Sequence, residues 1–369
     1  MKAKTFSAVL CALFAMAAFA AQPEPLPIGA EAPDFELPGV DGKTYTLDDF
    51  ADAEVLAIIF TCNHCPTAQG FEDRIQALHD DYKDKGAAIV AVSPNDPLAV
   101  RLDELGYTDL NDSLEDMKLR AEDHNFTFPY LYDGETQEMS MKYGPAATPH
   151  AFVFGPDRKL RYIGHIEDAE DPAKVKSRPV RDAIDALLAG EEVPVKKTRV
   201  FGCSTKWSDK RPTVKAALER WAKEEVSLQP IDIAGAKELM ANDTENYRLI
   251  NLWATWCGPC VAEMPDLVEI NRMYRGRNFE FITISMDEPE AADKALAFLK
   301  ENEASATNYH YTGDDKFAFM DHIDPEWEGA IPHTILVAPG GKITYRHTGQ
   351  VDPLELKRAI VGKLGRTYF

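Results

Sequence analysis

Positive charge is scarce in this chain: 40 Lys and Arg stand against 61 Asp and Glu, a formal net charge of −21. That balance repels phosphate backbones and anionic bilayers, so nucleic acid and anionic membrane surfaces are excluded as partners and the excess charge serves solubility. Long apolar runs are missing beyond the amino end, so no later segment is expected to span a bilayer. Cysteine is sparse as well, at six in 369 residues, and where each one falls therefore carries information. What is present, 45% hydrophobic and 27% charged residues, is the composition of a soluble globular protein long enough for two domains with separate cores.

At the amino end Lys2 and Lys4 precede an apolar stretch from Phe6 to Ala20 that closes in Ala18-Phe19-Ala20. This is the layout of a secretory signal peptide over residues 1–20, removed together with Cys11. It implies an exported, periplasmic protein, in contact with a membrane only if the leader stays uncleaved. Residues 21–27 read as a proline-rich tether. Outside the cytosol the five remaining cysteines meet an oxidising environment. Four of them form two Cys-x-x-Cys pairs, Cys62 with Cys65 and Cys257 with Cys260, and Cys203 is left over.

Each pair follows a short continuous apolar run, "VLAIIF" or "RLINLWAT", of the kind buried on both faces of a sheet. Each is then followed by a helical pattern and another strand pattern. For the first pair these are Phe71, Ile75, Leu78 and Tyr82, spaced by three and four, then "AAIVAVS". Asp41-Gly42 marks a hairpin before the first pair, and Pro156-Asp157 marks another after it. Between them, Leu98, Leu102 and Leu105 suggest one stripe of a helix. "TVKAALERWAKEEV" reads as a connector helix, after which the same order of elements repeats. The expected architecture is α/β, with domains at residues 28–207 and 227–369, a connector at 208–226, and in each domain a mixed sheet flanked by helices.

A cysteine between strand and helix has a purpose: a thiol attacks a disulfide only as thiolate, and unpaired N–H groups at a helix start stabilise that anion. Cys62 and Cys257 are therefore read as attacking sulfurs, with Cys65 and Cys260 one turn further in to resolve the mixed disulfide. A four-cysteine zinc site is the competing reading, disfavoured because zinc knuckles usually sit on short turns. A permanent structural disulfide is disfavoured because so short a loop removes little unfolded-state entropy.

"LWATWCGPC", with Glu263 and Pro265 in "VAEMP", resembles the thioredoxin superfamily and within it the exported TlpA/ResA-like thiol-disulfide oxidoreductases. The resemblance implies a cis-proline facing the cysteines, which Pro332 in "AIPHT" matches. The first half resembles the AhpC/TSA-like, peroxiredoxin-like branch through "APDFELPGVDGKTYTLDDF", "FTCNHCP", "FPYLYD" and "ATPHAFVF", the last implying a cis-proline at Pro149. Peroxidases of that branch use a Pro-x-x-x-Thr-x-x-Cys frame; counting back from Cys62 finds Ile59 in place of the threonine, and from Cys65 finds Cys62. Asn251 stands where thioredoxins carry a buried aspartate, which leaves water or Glu263 to take the resolving thiol's proton.

Further side chains are candidates to tune the pairs. His64 beside the first thiolate would stabilise its reduced state and raise its potential, whereas Gly258-Pro259 resembles reducing members. Electrons would then run from the second pair to the first. His150 and His333, each following a cis-proline, are read either as histidines without a role or as imidazoles beside their own dithiols. Cys62, Cys65 and His150 together would suit copper. Trp253 is expected in the core, and Trp256 as an apolar collar for a partner. Cys203 stays open between an inert thiol, an intermolecular link and a resolving partner. The activity implied is disulfide exchange with protein or peptide disulfides and thiols, with an unidentified electron donor and no organic cofactor or resident metal. The alternatives are a copper-carrying or partner-binding first domain, and peroxide reduction.

Overall fold

The computed structural model describes residues 22–369, so the leader and Cys11 lie outside the described residues. Two sheets organise the chain. The strands β1 (Glu36–Pro38) and β2 (Thr44–Thr46) form the hairpin at Asp41-Gly42. The first large sheet contains β3 (Val55–Phe60), β4 (Ala87–Ser93), β5 (Tyr130–Tyr132), β7 (His150–Phe154) and β8 (Leu160–Gly164), in the order β5-β4-β3-β7-β8. β3 is central and every one of its residues is buried, which is why its composition is apolar without alternation. A small separate ribbon pairs β6 (Ala147–Thr148) with β9 (Cys203–Ser204).

The second sheet has the order β10-β13-β12-β11-β14-β15, from β10 (Gln229–Ile231), β11 (Tyr247–Trp253), β12 (Phe279–Ser285), β13 (Thr307–Tyr311), β14 (His333–Val337) and β15 (Ile343–Thr348). In both sheets the strand before the cysteines pairs parallel on one side and antiparallel on the other. Helices cover the sheets: α1 (Pro66–Gln69), α2 (Glu72–Tyr82), α3 (Leu114–His124), α4 (Glu138–Tyr143) and α5 (Pro179–Leu188) belong to the first half. α6 (Arg211–Trp221) connects, and α7 (Ile233–Ala241), α8 (Gly258–Tyr274), α9 (Ala292–Glu301), α10 (Lys316–Ile323) and α11 (Pro353–Leu364) follow. No helix among the described residues is long and apolar enough to cross a membrane.

Two expectations are corrected here. The helix after the first pair is interrupted at Gly70 and Phe71 into α1 and α2. The Leu98–Leu102–Leu105 stripe forms no α-helix: residues 97–99 and 102–104 are separate 3-10 turns, and Leu98 is exposed. Val100 and Leu105 instead join the core of the second half, against Leu249, Tyr274 and Leu336. Polar contacts reinforce that seam: Tyr274 Oη donates to the Thr108 carbonyl at 2.7 Å, and Arg277 donates to the Gly106 carbonyl at 3.0 Å. Arg277 also lies 3.8 Å above the Tyr107 ring.

Candidate active site

At the second pair, Cys257 is the N-cap of α8 and its sulfur accepts the Cys260 N–H at 3.3 Å. The turn is held from below by Asp287, which accepts the Thr255 N–H at 3.0 Å and the Thr255 hydroxyl at 2.7 Å. Cys257 and Cys260 are joined as a disulfide. The Ile331 carbonyl lies 3.6 Å from Cys257 Sγ, and the Ile331–Pro332 bond is cis. Pro259 and Trp256 are exposed, Trp256 at 67%, while Trp253 is fully buried against Phe298.

Glu263 falls three residues beyond Cys260 on α8 and is buried there, accepting the Asn251 amide at 2.9 Å and the Val351 N–H at 3.0 Å. Burial pushes its carboxyl above the ordinary range against the pull of those two donors. His333 does not present a free imidazole to the dithiol. Its Nε2 donates to Asp324 at 3.1 Å, its Nδ1 pairs with the Thr348 hydroxyl at 2.8 Å, and its ring stacks on Trp327. Arg346 also grips Asp324, and Trp327 donates to the Ala330 carbonyl at 2.7 Å, so this group braces the loop that carries Pro332.

The first pair is built around Asp112, a residue that sequence reasoning missed. One carboxylate oxygen accepts the N–H groups of Asn63 and His64 at 2.9 and 3.1 Å. The other accepts His64 Nδ1–H at 2.6 Å and the Asn95 amide at 2.8 Å. Burial alone would lower the His64 pKa, but Asp112 and the nearby Cys65 raise it, favouring an imidazolium. His64 Nε2 is buried without a hydrogen-bond partner among the described residues.

The sulfurs sit differently from the expected placement. Cys65, not Cys62, is the N-cap of α1. Burial pushes the Cys65 thiol up, but hydrogen bonds from Cys203 and Cys62, the charge of His64 and the Ala68 N–H bring it well below the usual thiol range. Cys62 moves the other way, pushed well up by burial and by the neighbouring Cys65 and Asp112. Cys62 shares a 3.1 Å hydrogen bond with the Thr148 hydroxyl, and Cys65 Sγ lies 3.3 Å from the Thr148 carbonyl, just before cis-Pro149. Cys203 stands opposite Thr148 in the β6–β9 ribbon and donates its N–H to Cys65 Sγ at 3.3 Å. Only glycine fits before it: Gly202 has φ +133°, and a Cβ there would lie 2.1 Å from the Thr148 oxygen.

His150 lies apart from this group. Its Nδ1 accepts the Ala146 N–H at 3.3 Å, and burial with the nearby Lys197 lowers its pKa to about 3. The copper set of Cys62, Cys65 and His150 is therefore not assembled. The ligand-type residues that do converge are Cys62, His64 and Asp112, within 4.8 Å of one another. Both Asp112 oxygens already accept two hydrogen bonds each, so a metal there would have to displace the donors that shape the turn.

Residues 28–163 match the AhpC/TSA family and residues 234–360 match Redoxin. The thiol-disulfide oxidoreductase ResA of Bacillus cereus is 33% identical over 34% of this chain and 68% of its own length. The chain belongs to the thioredoxin superfamily. Its ResA-like character is shared with the thiol:disulfide interchange protein DsbE homolog of Paracoccus denitrificans, 32% identical over 28% of this chain. The chain spans 50% of that relative's length. A solved structure from Sinorhizobium meliloti, described as a hypothetical protein, is 32% identical, with a TM-score of 0.45, over 51% of this chain and 98% of its own. The two tandem thioredoxin-like domains of this superfamily member each carry one Cys-x-x-Cys pair at the end of a central strand.

Proposed function

We propose that this chain is an exported, periplasmic thiol-disulfide oxidoreductase with two domains, residues 28–207 and 227–369, joined by a connector over 208–226. The observation that carries the reading is Cys257 at the start of a 17-residue helix, its sulfur held by the Cys260 N–H beside exposed Trp256. As thiolate, Cys257 attacks one sulfur of a protein or peptide disulfide and releases the other as a thiolate. Cys260, its proton passed to Glu263 or water, then attacks Cys257 Sγ, frees the second substrate thiolate and leaves the Cys257–Cys260 disulfide. An electron donor restores the dithiol. Trp256 supplies a flat apolar rim for the partner chain.

The first pair acts as a second redox station, and a more oxidising one, because the surroundings of Cys65 favour its ionised, reduced form. Electrons then flow from the second pair to the first. Peroxide reduction is less well supported, since Ile59 offers no hydroxyl and lies in the core. The test is insulin reduction driven by dithiothreitol. Wild type should catalyse it, Cys257→Ser should abolish it, and Cys260→Ser should accumulate mixed disulfides on Cys257. Wild type that cycles its own disulfide yet leaves insulin intact would refute the proposal.

A further inference from the structure

The first pair presents a problem of access. Cys62 is 1% exposed and Cys65 is fully buried, so neither sulfur can meet a protein disulfide as the chain stands. Cys203 is the half-buried member of the group, packed against the cluster of Cys62, Cys65 and Ala68. It is held there by the β6–β9 register, which sets Cys203 opposite Thr148, and by its N–H bond to Cys65 Sγ.

From this geometry we infer that Cys65 is a shared sulfur, able to bond either Cys62 or Cys203, and that Cys203 is where the first dithiol meets a partner dithiol. The inference rests on the first pair being redox-active. Starting from a Cys62–Cys65 disulfide, the Cys203 thiol gives up its proton to solvent and the resulting thiolate attacks Cys65 Sγ. The Cys62–Cys65 bond breaks, Cys62 leaves and takes up a proton, and a Cys65–Cys203 bond forms with no net oxidation.

A partner thiolate next attacks the more accessible Cys203 Sγ, and Cys65 departs as thiolate. Its surroundings make it the better leaving group, since hydrogen-bond donors and His64 hold that anion. The partner's second thiol closes on its own mixed disulfide and frees Cys203, which takes a proton. The partner dithiol has lost two electrons and two protons. The chain gains both electrons and one proton, and the other proton goes to solvent because Cys65 stays ionised.

The experiment uses the full chain oxidised in a glutathione buffer, alkylated, digested without reductant and mapped by mass spectrometry. Cys62→Ser should convert most molecules to a Cys65–Cys203 disulfide. Cys203→Ser should keep a Cys62–Cys65 disulfide but slow its reduction by dithiothreitol by about tenfold or more. The inference is overturned if Cys62→Ser leaves Cys65 and Cys203 alkylatable while Cys257–Cys260 in the same molecules is oxidised. It is equally overturned if Cys203→Ser is reduced at the wild-type rate. Wild type forming no disulfide among the three cysteines would overturn it together with the redox reading of the first pair.

Discussion

Asp112→Asn removes the charge around which the first turn is folded. The asparagine oxygen can still accept the Asn63 and His64 N–H groups, but its NH2 then faces two former donors, His64 Nδ1 and the Asn95 amide. His64 can adapt by moving its proton to Nε2, whereas the Asn95 amide is left without its acceptor, costing about 1–3 kcal/mol. Loss of a buried 2.6 Å charge pair adds to this, and breaking such pairs costs about 3–5 kcal/mol when the remaining charge persists. Because His64 can become neutral, the net loss should sit toward the lower end, about 3 kcal/mol.

The pair also sets the pH window of that loss. His64 is raised above 6.5, so its contribution is fully present below 6.5 and disappears as pH rises through the raised value. Asp112 is lowered below 3.8, so its contribution is present above 3.8 and disappears as pH falls through the lowered value. The stability difference between wild type and variant should therefore be largest between pH 3.8 and 6.5.

The redox consequence depends on which lost charge Cys65 feels more. His64 is among the groups that hold the Cys65 thiolate, while Asp112 acts on Cys62, so loss of the imidazolium dominates. Each unit by which the Cys65 pKa rises is worth about 1.4 kcal/mol, or about 30 mV for this two-electron couple. The first pair should become more reducing by about 30–60 mV, read from disulfide fractions across glutathione buffers. Cys257–Cys260 in the same molecule is the internal reference. A first-pair potential that stays put or rises would refute the electrostatic argument.

Glu263→Gln should slow resolution of a glutathione mixed disulfide on Cys257 by about tenfold to a hundredfold, measured by acid quenching, with little change in the initial attack. His150, buried with its pKa lowered from 6.5 to about 3, resists protonation in the fold but not in the unfolded chain. Stability should therefore fall as pH drops from 6.5 toward 3, by about 3 kcal/mol at pH 4, and urea titrations of His150→Gln should show a smaller acid loss. Leu105→Ala should cost about 2–5 kcal/mol and do so through the second half, whose core this residue joins, as seen in hydrogen exchange of α8.

The strands around both pairs were legible because burial on two faces leaves no room for polar residues: β3 and the inner part of β11 read as apolar runs. Both cis-prolines stand where the resemblance implies them, at Pro149 and Pro332. β13, "TNYHY", was not legible, since its buried Asn308 and His310 find partners that only the fold supplies. The Leu98–Leu105 pattern misled because spacings near three suit a 3-10 turn as well as an α-helix, and the surface covering Val100 and Leu105 belongs to the other half of the chain. Asp112 went unseen because Asn111-Asp112-Ser113 reads only as a helix start, which Ser113 indeed caps. The available signal was His64 itself: an imidazole next to a buried strand end needs a partner.

What separates the two pairs is the cover over each. Over Cys257, itself 5% exposed, lie a carbonyl, a cis-proline and an exposed tryptophan. Over the first pair the β6–β9 ribbon brings Thr148 and Cys203 down onto the sulfurs, and the second half adds a further layer. Phe369 reaches within 3.2 Å of the Cβ position at Gly70, and the Tyr368 and Tyr107 rings stand 4.9 Å apart. Arg366 anchors that segment on Asp109. Tyr368 lies close enough to Cys203 and Cys65 for their charge, after burial, to push its phenol up to about 12. The second domain thus contributes to the surroundings of the first domain's sulfurs. Cutting the chain at the connector would strip this layer as well as separate the pairs, so potentials and rates for the first dithiol must be taken from the full chain.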